Sequence, residues 1–130
     1  MNENEEVVNS YFSLLDKHLD NLVNGTEGTM LELNQIAALL NLSHKKLITI
    51  VRISLGNHPC HFYDQKILEK AKQLLIESDW PVAKIALRLT YDPSNFSKFF
   101  KKYTGETPGA FRGKYRTDTK INLKKAKSSP

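Results

Sequence analysis

A chain of 130 residues, 40% apolar and 25% charged, is long enough for one domain with a modest core and too short for two independent ones. Its apolar runs reach only four or five residues, no charged-then-apolar leader opens it, and the lone Cys60 closes no internal disulfide. Membrane-spanning and secreted classes are thereby excluded as expectations, and a reducing, cytoplasmic setting is predicted. The charge is also segregated. Residues 1–32 carry seven acids against Lys17, net −6, whereas residues 33–130 carry eighteen bases against seven acids, net +11, for the total of +5. Such a basic segment suits a polyanionic partner, although a solvated lysine-rich surface fits the charge alone equally well.

In chain order, Val7, Val8, Tyr11, Phe12, Leu15, Leu19 and Leu22 lay an apolar stripe along residues 5–23. The spacing predicts a packing helix with an acidic exterior, on which His18 is plain surface. Residues 24–28, Asn-Gly-Thr-Glu-Gly, compose a loop. Thr29 and Glu32 fit a capping box ahead of the next helix. Over residues 33–55, Leu33, Ile36, Ala37 and Leu40 form one short amphipathic stripe, Asn41-Leu42 interrupts it, and Ser43 caps a second helix. That helix is predicted to bury Leu47, Ile50, Val51 and Ser54 and to stop at Gly56. A long helix follows over 59–76, with Phe62, Ile67, Leu68, Ala71, Leu74 and Leu75 inward. At 1.5 Å per residue it spans about 27 Å, against about 34 Å between successive major-groove windows on one face of DNA.

Residues 82–104 then repeat residues 33–55 with a gapless offset of 49. Ile36-Ala37 meets Ile85-Ala86, Leu40 meets Leu89, Ser43 meets Asp92, Leu47 meets Phe96, Val51 meets Phe100, Gly56 meets Gly105, Pro59 meets Pro108 and Phe62 meets Phe111. Trp80 takes the place of Leu31 and reads as a core anchor. Pro93 sits at the first helical position of the second copy, where a missing amide costs nothing. Phe96, Phe99, Phe100 and Tyr103 are its predicted inner face. A last helix is predicted over 107–115. Two short helices joined by a tight turn, with a small Ala37 or Ala86 on the inner face so that the pair can approach closely, describe a helix-turn-helix. Duplication makes an ordinary helical hairpin a poor alternative.

The stretch Asp92-Pro93-Ser94-Asn95-Phe96-Ser97-Lys98-Phe99-Phe100-Lys101-Lys102-Tyr103, followed by Thr104-Gly105-Glu106-Thr107-Pro108-Gly109-Ala110-Phe111-Arg112, resembles the signature of the AraC/XylS family of bacterial transcription regulators. The resemblance covers residues 8–113. It implies an all-α fold of seven helices, with two helix-turn-helix units bridged by a linker helix, and activation or repression of promoters. With 130 residues, the chain resembles compact members made of the DNA-binding domain alone: that domain over 1–116 and a basic, disordered tail over 117–130. Expected partners are double-stranded DNA, bound by a monomer, and RNA polymerase, in the cytoplasm beside the nucleoid; no membrane is involved. Two departures from the family stand in the turns: Asn41 and Thr90 replace the usual glycine, and the second turn is one residue shorter than the usual family spacing, which makes it match the first copy. A third is Ile67, where arginine is common.

With Leu47 and Val51 inward, the outward arc of the first unit is His44, Lys45, Ile48, Thr49 and Arg52. The matching arc is Pro93, Ser94, Ser97, Lys98 and Lys101, with Asn95 at its edge. Carried over from the family, the base-reading positions are Lys45, Ile48 and Thr49, and Ser94, Asn95 and Lys98. Lysine reaches guanine O6 and N7, asparagine pairs with adenine, and Ile48 or Thr49 meets a thymine methyl. Arg52, Lys101 and Lys102, with His44, Ser97 and Arg112, suit phosphate. His58, Cys60 and His61 cluster at a helix start, where a capping role fits better than a metal, which needs more ligands. No phosphate-cradling glycine loop, nucleophile–base pair or acidic metal cluster is present in the sequence, so no enzyme and no cofactor is expected. The rival to a DNA-binding regulator is a protein-interaction module that keeps the helix-turn-helix fold without sequence-specific DNA binding.

Overall fold

The 49-residue offset recurs helix for helix in the structure, a computed structural model that describes residues 2–116. Seven helices and no strand occur among those residues. They are α1 (Glu3–Asn24), α2 (Leu33–Leu39), α3 (His44–Leu55), α4 (Pro59–Glu77), α5 (Val82–Arg88), α6 (Pro93–Thr104) and α7, which occupies 108–116 at the end of the described stretch. α2 and α5 differ by 49 at both ends, and so do α3 and α6. The fold is all-α, with two helix-turn-helix units and α4 between them in the chain. The tail lysines, among them Lys120, Lys124, Lys125 and Lys127, lie outside the described residues. Among those residues no helix is long and apolar enough to cross a membrane.

The chain divides into two compact units. The first runs through Lys70 and adds Arg88–Thr90; the second takes Ala71–Leu87 and continues from Tyr91. In the first, α1 starts at Asn2, whose side chain accepts from Glu5 N at 2.8 Å, and ends at Gly25 with φ +85°. Its buried face is Val8, Tyr11, Leu15, His18, Leu19 and Leu22, and it packs on α3. Tyr11 Oη donates to the Pro59 carbonyl at 2.9 Å, and Tyr63 Oη donates to the Leu31 carbonyl at 2.9 Å. Burial pushes the Tyr11 phenol up from its ordinary value, so it remains a donor. Tyr63 belongs to the buried face of α4 with Ile67, Ala71 and Leu75, whereas Phe62, Leu68 and Leu74 are half-buried.

Two readings from sequence change here. His18 is not surface: it is 2% exposed. Its Nε2 accepts the Leu31 N–H at 3.0 Å, which leaves the proton on Nδ1 to be donated to Glu27. Asn21 also donates to Glu27, at 3.2 Å. A buried imidazole thus ties the loop after α1 back onto the helix, and satisfying both ring nitrogens is what makes its burial tolerable. Burial would raise the Glu27 carboxyl, but the hydrogen bonds from Asn21 and His18 outweigh it and hold the group below its ordinary range. The second change is at α2. Its capping box is Glu32 with Gln35, not Thr29 with Glu32, and Gln35 Oε1 accepts the Glu32 N–H at 2.7 Å.

In the second unit the core is aromatic. Phe96 and Phe100 are fully buried, with ring centroids 6.1 Å apart, and Phe111 meets Phe100 edge-on at 5.4 Å. Tyr91 lies 5.3 Å from Phe99 and 6.1 Å from Phe96. Trp80 is half-buried rather than part of the buried core, and Lys84 Nζ stands over its ring at 4.3 Å. Arg112 Nε donates to the Leu75 carbonyl at 2.9 Å and Nη2 to the Ser78 carbonyl at 3.3 Å, while Arg116 reaches Asp79 Oδ1 at 3.1 Å. Arg116 Nη2 also donates to the Ser78 carbonyl, so the two arginines satisfy carbonyls at and just beyond the end of α4 that lack helical partners.

Candidate nucleic-acid interface

Each of α3 and α6 is aimed by the turn before it. After α2, Leu42 N donates to Ala37 O at 2.9 Å and Asn41 N to Ala38 O at 3.0 Å. This pair of bonds closes the helix in a Schellman motif, which requires a left-handed residue between them. Asn41 supplies it at φ +60°, and Thr90 at φ +66° in the second copy, where Tyr91 N donates to Ala86 O at 2.8 Å. Asparagine accepts this conformation readily, whereas a β-branched threonine is strained in it. The tertiary fold holds Thr90 there nonetheless, and the second turn matches the first. Ala37 and Ala86, both fully buried, supply the carbonyls on which the turns close.

The second helix of each unit then begins on a cap. Ser43 Oγ accepts from Lys46 N at 3.1 Å, and Asp92 Oδ2 accepts from Ser94 N at 3.1 Å and Asn95 N at 3.3 Å. Leu47, Ile50 and Val51 anchor α3, and Phe96 and Phe100 anchor α6. At 100° per residue, burial of these residues turns Lys45, Thr49 and Arg52 outward in one line, and Ser94, Lys98 and Lys101 in the other. All six are exposed. His44, Asn95 and Lys102 are exposed beside them, and Ile48, Pro93 and Ser97 are half-buried at the margin. Lys102 Nζ rests 5.5 Å from the Tyr103 ring centroid. Ser54, read as buried, is exposed, and Tyr103 is 45% exposed; both lie a full turn beyond the last anchors.

The electrostatics follow from sequence. α3 contains Lys45, Lys46 and Arg52 and no acid, and α6 contains Lys98, Lys101 and Lys102 and no acid. Elsewhere in the first unit, Lys66 pairs with Asp16 at 3.0 Å, and Lys70 pairs with Asp20. The acids of α1 therefore compensate lysines of α4, whereas the cations of α3 and α6 have no carboxylate on their own helices. Lys46 and Ile53, the latter 71% exposed, flank the first line and were not singled out from the sequence. Their angular position on the helix was the available signal.

Arg112 stands apart from the other phosphate candidates, because its guanidinium is engaged with the Leu75 and Ser78 carbonyls and is half-buried. Burial, then the neighbouring Arg116, lowers its pKa, with Asp79 opposing them. At the start of α4, His58 Nδ1 accepts from Cys60 N at 3.0 Å, a cap. Among the described residues no three metal-ligating side chains come together.

Residues 36–114 match a family described as a helix-turn-helix domain. The MmsAB operon regulatory protein of Pseudomonas aeruginosa is 40% identical over 88 residues, covering 66% of this chain and 28% of that protein. The raffinose operon transcriptional regulatory protein RafR of Pediococcus pentosaceus is 38% identical over 74 residues, 56% of this chain and 27% of that protein. The chain thus spans less than a third of the length of either relative. Among solved structures, the C-terminal domain of AraT, a response regulator from Geobacillus stearothermophilus, superposes with a TM-score of 0.73 at 28% identity, covering 87% of this chain and 88% of that one. The DNA-binding domain of AdpA, solved with a target DNA, shares the fold with a TM-score of 0.71 at 23% identity, covering 91% and 96%.

Proposed function

The chain belongs to the AraC-type helix-turn-helix family, and from that premise we propose that it is a sequence-specific, DNA-binding transcriptional regulator that lays α3 and α6 in adjacent segments of major groove. One observation carries the reading. The same capped, anchored helix is built twice at an offset of 49, and each copy turns outward a line of cations and hydrogen-bonding side chains without an acid. Lys45, Ile48 and Thr49 in α3, and Ser94, Asn95 and Lys98 in α6, contact base edges. Arg52, Lys101 and Lys102, flanked by His44 and Ser97, hold phosphates. The Pseudomonas and Pediococcus relatives, named as operon regulators, support the transcriptional role. Its work is recognition rather than catalysis. It acts in the cytoplasm on nucleoid DNA, as a monomer, with RNA polymerase as the partner through which promoter output changes.

Selection of sites from a random duplex pool, followed by gel-shift titration, tests this. A recovered site of about two helical turns without two-fold symmetry is expected, because the two outward lines differ chemically. Recovery of no preferred sequence would mean that the fold serves protein interaction instead.

A further inference from the structure

At two matching positions in the middle of the outward faces the chemistry differs. Ile48 and Thr49 of α3 stand where α6 has Ser97 and Lys98. Ile48 is half-buried and so presents part of its side chain at the surface, next to exposed Thr49. Thr49 Oγ1 donates to the Lys45 carbonyl of its own helix at 2.9 Å. This back-bonding spends the hydroxyl proton, and what Thr49 adds to the outer face is its γ-methyl and an acceptor lone pair. Lys45 and Arg52 lie about one turn to either side of it, so cations bracket a small apolar patch.

On the base edges of the major groove the apolar group available is a pyrimidine C5-methyl, which thymine carries and unmodified cytosine lacks. Resting on the DNA-binding reading above, we infer that Ile48 and Thr49 make α3 a reader of pyrimidine C5-methyl groups, thymine or 5-methylcytosine, while the corresponding part of α6 reads polar edges. The specificity of the two halves of the site is therefore of different kinds. One is contact with a methyl, and the other is directed hydrogen bonding by Ser94, Asn95 and Lys98.

The full chain is titrated against its selected site with each thymine singly replaced by deoxyuridine, a change that removes the C5-methyl and nothing else. A loss of about four-fold, the worth of one buried methyl group, is expected at one or more thymines of one half-site and at none of the other. Thr49→Ser should lose about the same factor on the thymine site and nothing further on the deoxyuridine site. Thr49→Val keeps the methyl and should bind within about two-fold of the parent, since the hydroxyl is already committed. Comparing a cytosine with a 5-methylcytosine at the sensitive position identifies the source. A gain on methylation equal to the thymine–uracil difference marks a reader of either base, and no gain marks a reader of thymine. Thermal melts check that both variants at this exposed position remain folded. A selected site indifferent to deoxyuridine, or a Thr49→Val variant as weak as Thr49→Ser, overturns the inference while leaving DNA recognition intact. A pool that yields no preferred sequence removes both.

Discussion

The two helix-turn-helix units share a register but not a way of being held. The first is anchored by aliphatic side chains, Leu47, Ile50 and Val51, and its loop is tied to α1 by the buried His18 with Glu27 and Leu31. The second is anchored by Phe96, Phe100 and Phe111, and the end of α4 is closed by Arg112 and Arg116. Equivalent backbone can thus be anchored by aliphatic side chains or by large rings, with directed polar bonds closing the chain in both cases. The helix positions depend on the caps and turns common to both, whereas the response to mutation depends on which solution each unit uses.

The largest expected effect tests the aromatic solution. Phe100→Ala should cost about 3–5 kcal/mol, a large part of a small domain's stability. A urea or thermal melt measures it, and a variant as stable as the parent would mean that ring packing does not hold α6. Next comes a pair that separates holding from reading. Arg112→Ala should lower stability by about 1–3 kcal/mol by stripping the Leu75 carbonyl of its side-chain partner, while Arg116 stays on the Ser78 carbonyl, with the base preference of the folded protein unchanged. Lys98→Ala should leave the melt alone and cost about 1–3 kcal/mol of binding, with relaxed preference at one base pair. If site selection with Arg112→Ala loses specificity while Lys98→Ala keeps it, the two roles are exchanged.

Smaller effects sharpen the contrast between the turns. Thr90→Gly should stabilise by about 1 kcal/mol by releasing left-handed strain in a β-branched residue, and Asn41→Gly by less, as measured by parallel melts. The smallest concerns the polar tie of the first unit. The Glu27 pKa is lower in the folded state, so its contribution is present above the carboxyl's ordinary value and is lost as pH falls through the lowered one. Glu27→Gln should therefore show a shallower loss of stability than the parent on the acid side and no difference in slope near neutrality. Melts across that range would decide it; parallel acid limbs would assign no role to this carboxylate.

What could be read in the sequence was local. Helix starts at Ser43 and Asp92 followed from side chains that accept the first free amides, and helix ends at Gly56 and Gly105 from the absence of a Cβ, which permits the left-handed cap. The offset of 49 then put Lys45, Thr49 and Arg52 in register with Ser94, Lys98 and Lys101, because helical periodicity fixes which residues share a face once the anchors are known. The misread and missing assignments involved partners distant in the chain. His18 looks like surface on an acidic helix until a loop supplies Glu27 and the Leu31 amide. Arg112, expected at phosphate, has a structural role that the sequence did not show, on carbonyls 37 and 34 residues away.

The amino-acid sequence by itself determined that there are two copies of one capped unit and which face of each second helix points outward, since both depend on interactions within a few residues. Only the tertiary structure decided which polar side chains outside those two helices serve the architecture. Desolvation and hydrogen bonding to distant backbone groups draw His18 and Arg112 into the architecture, and Thr90 stands at φ +66°, a backbone conformation its side chain resists.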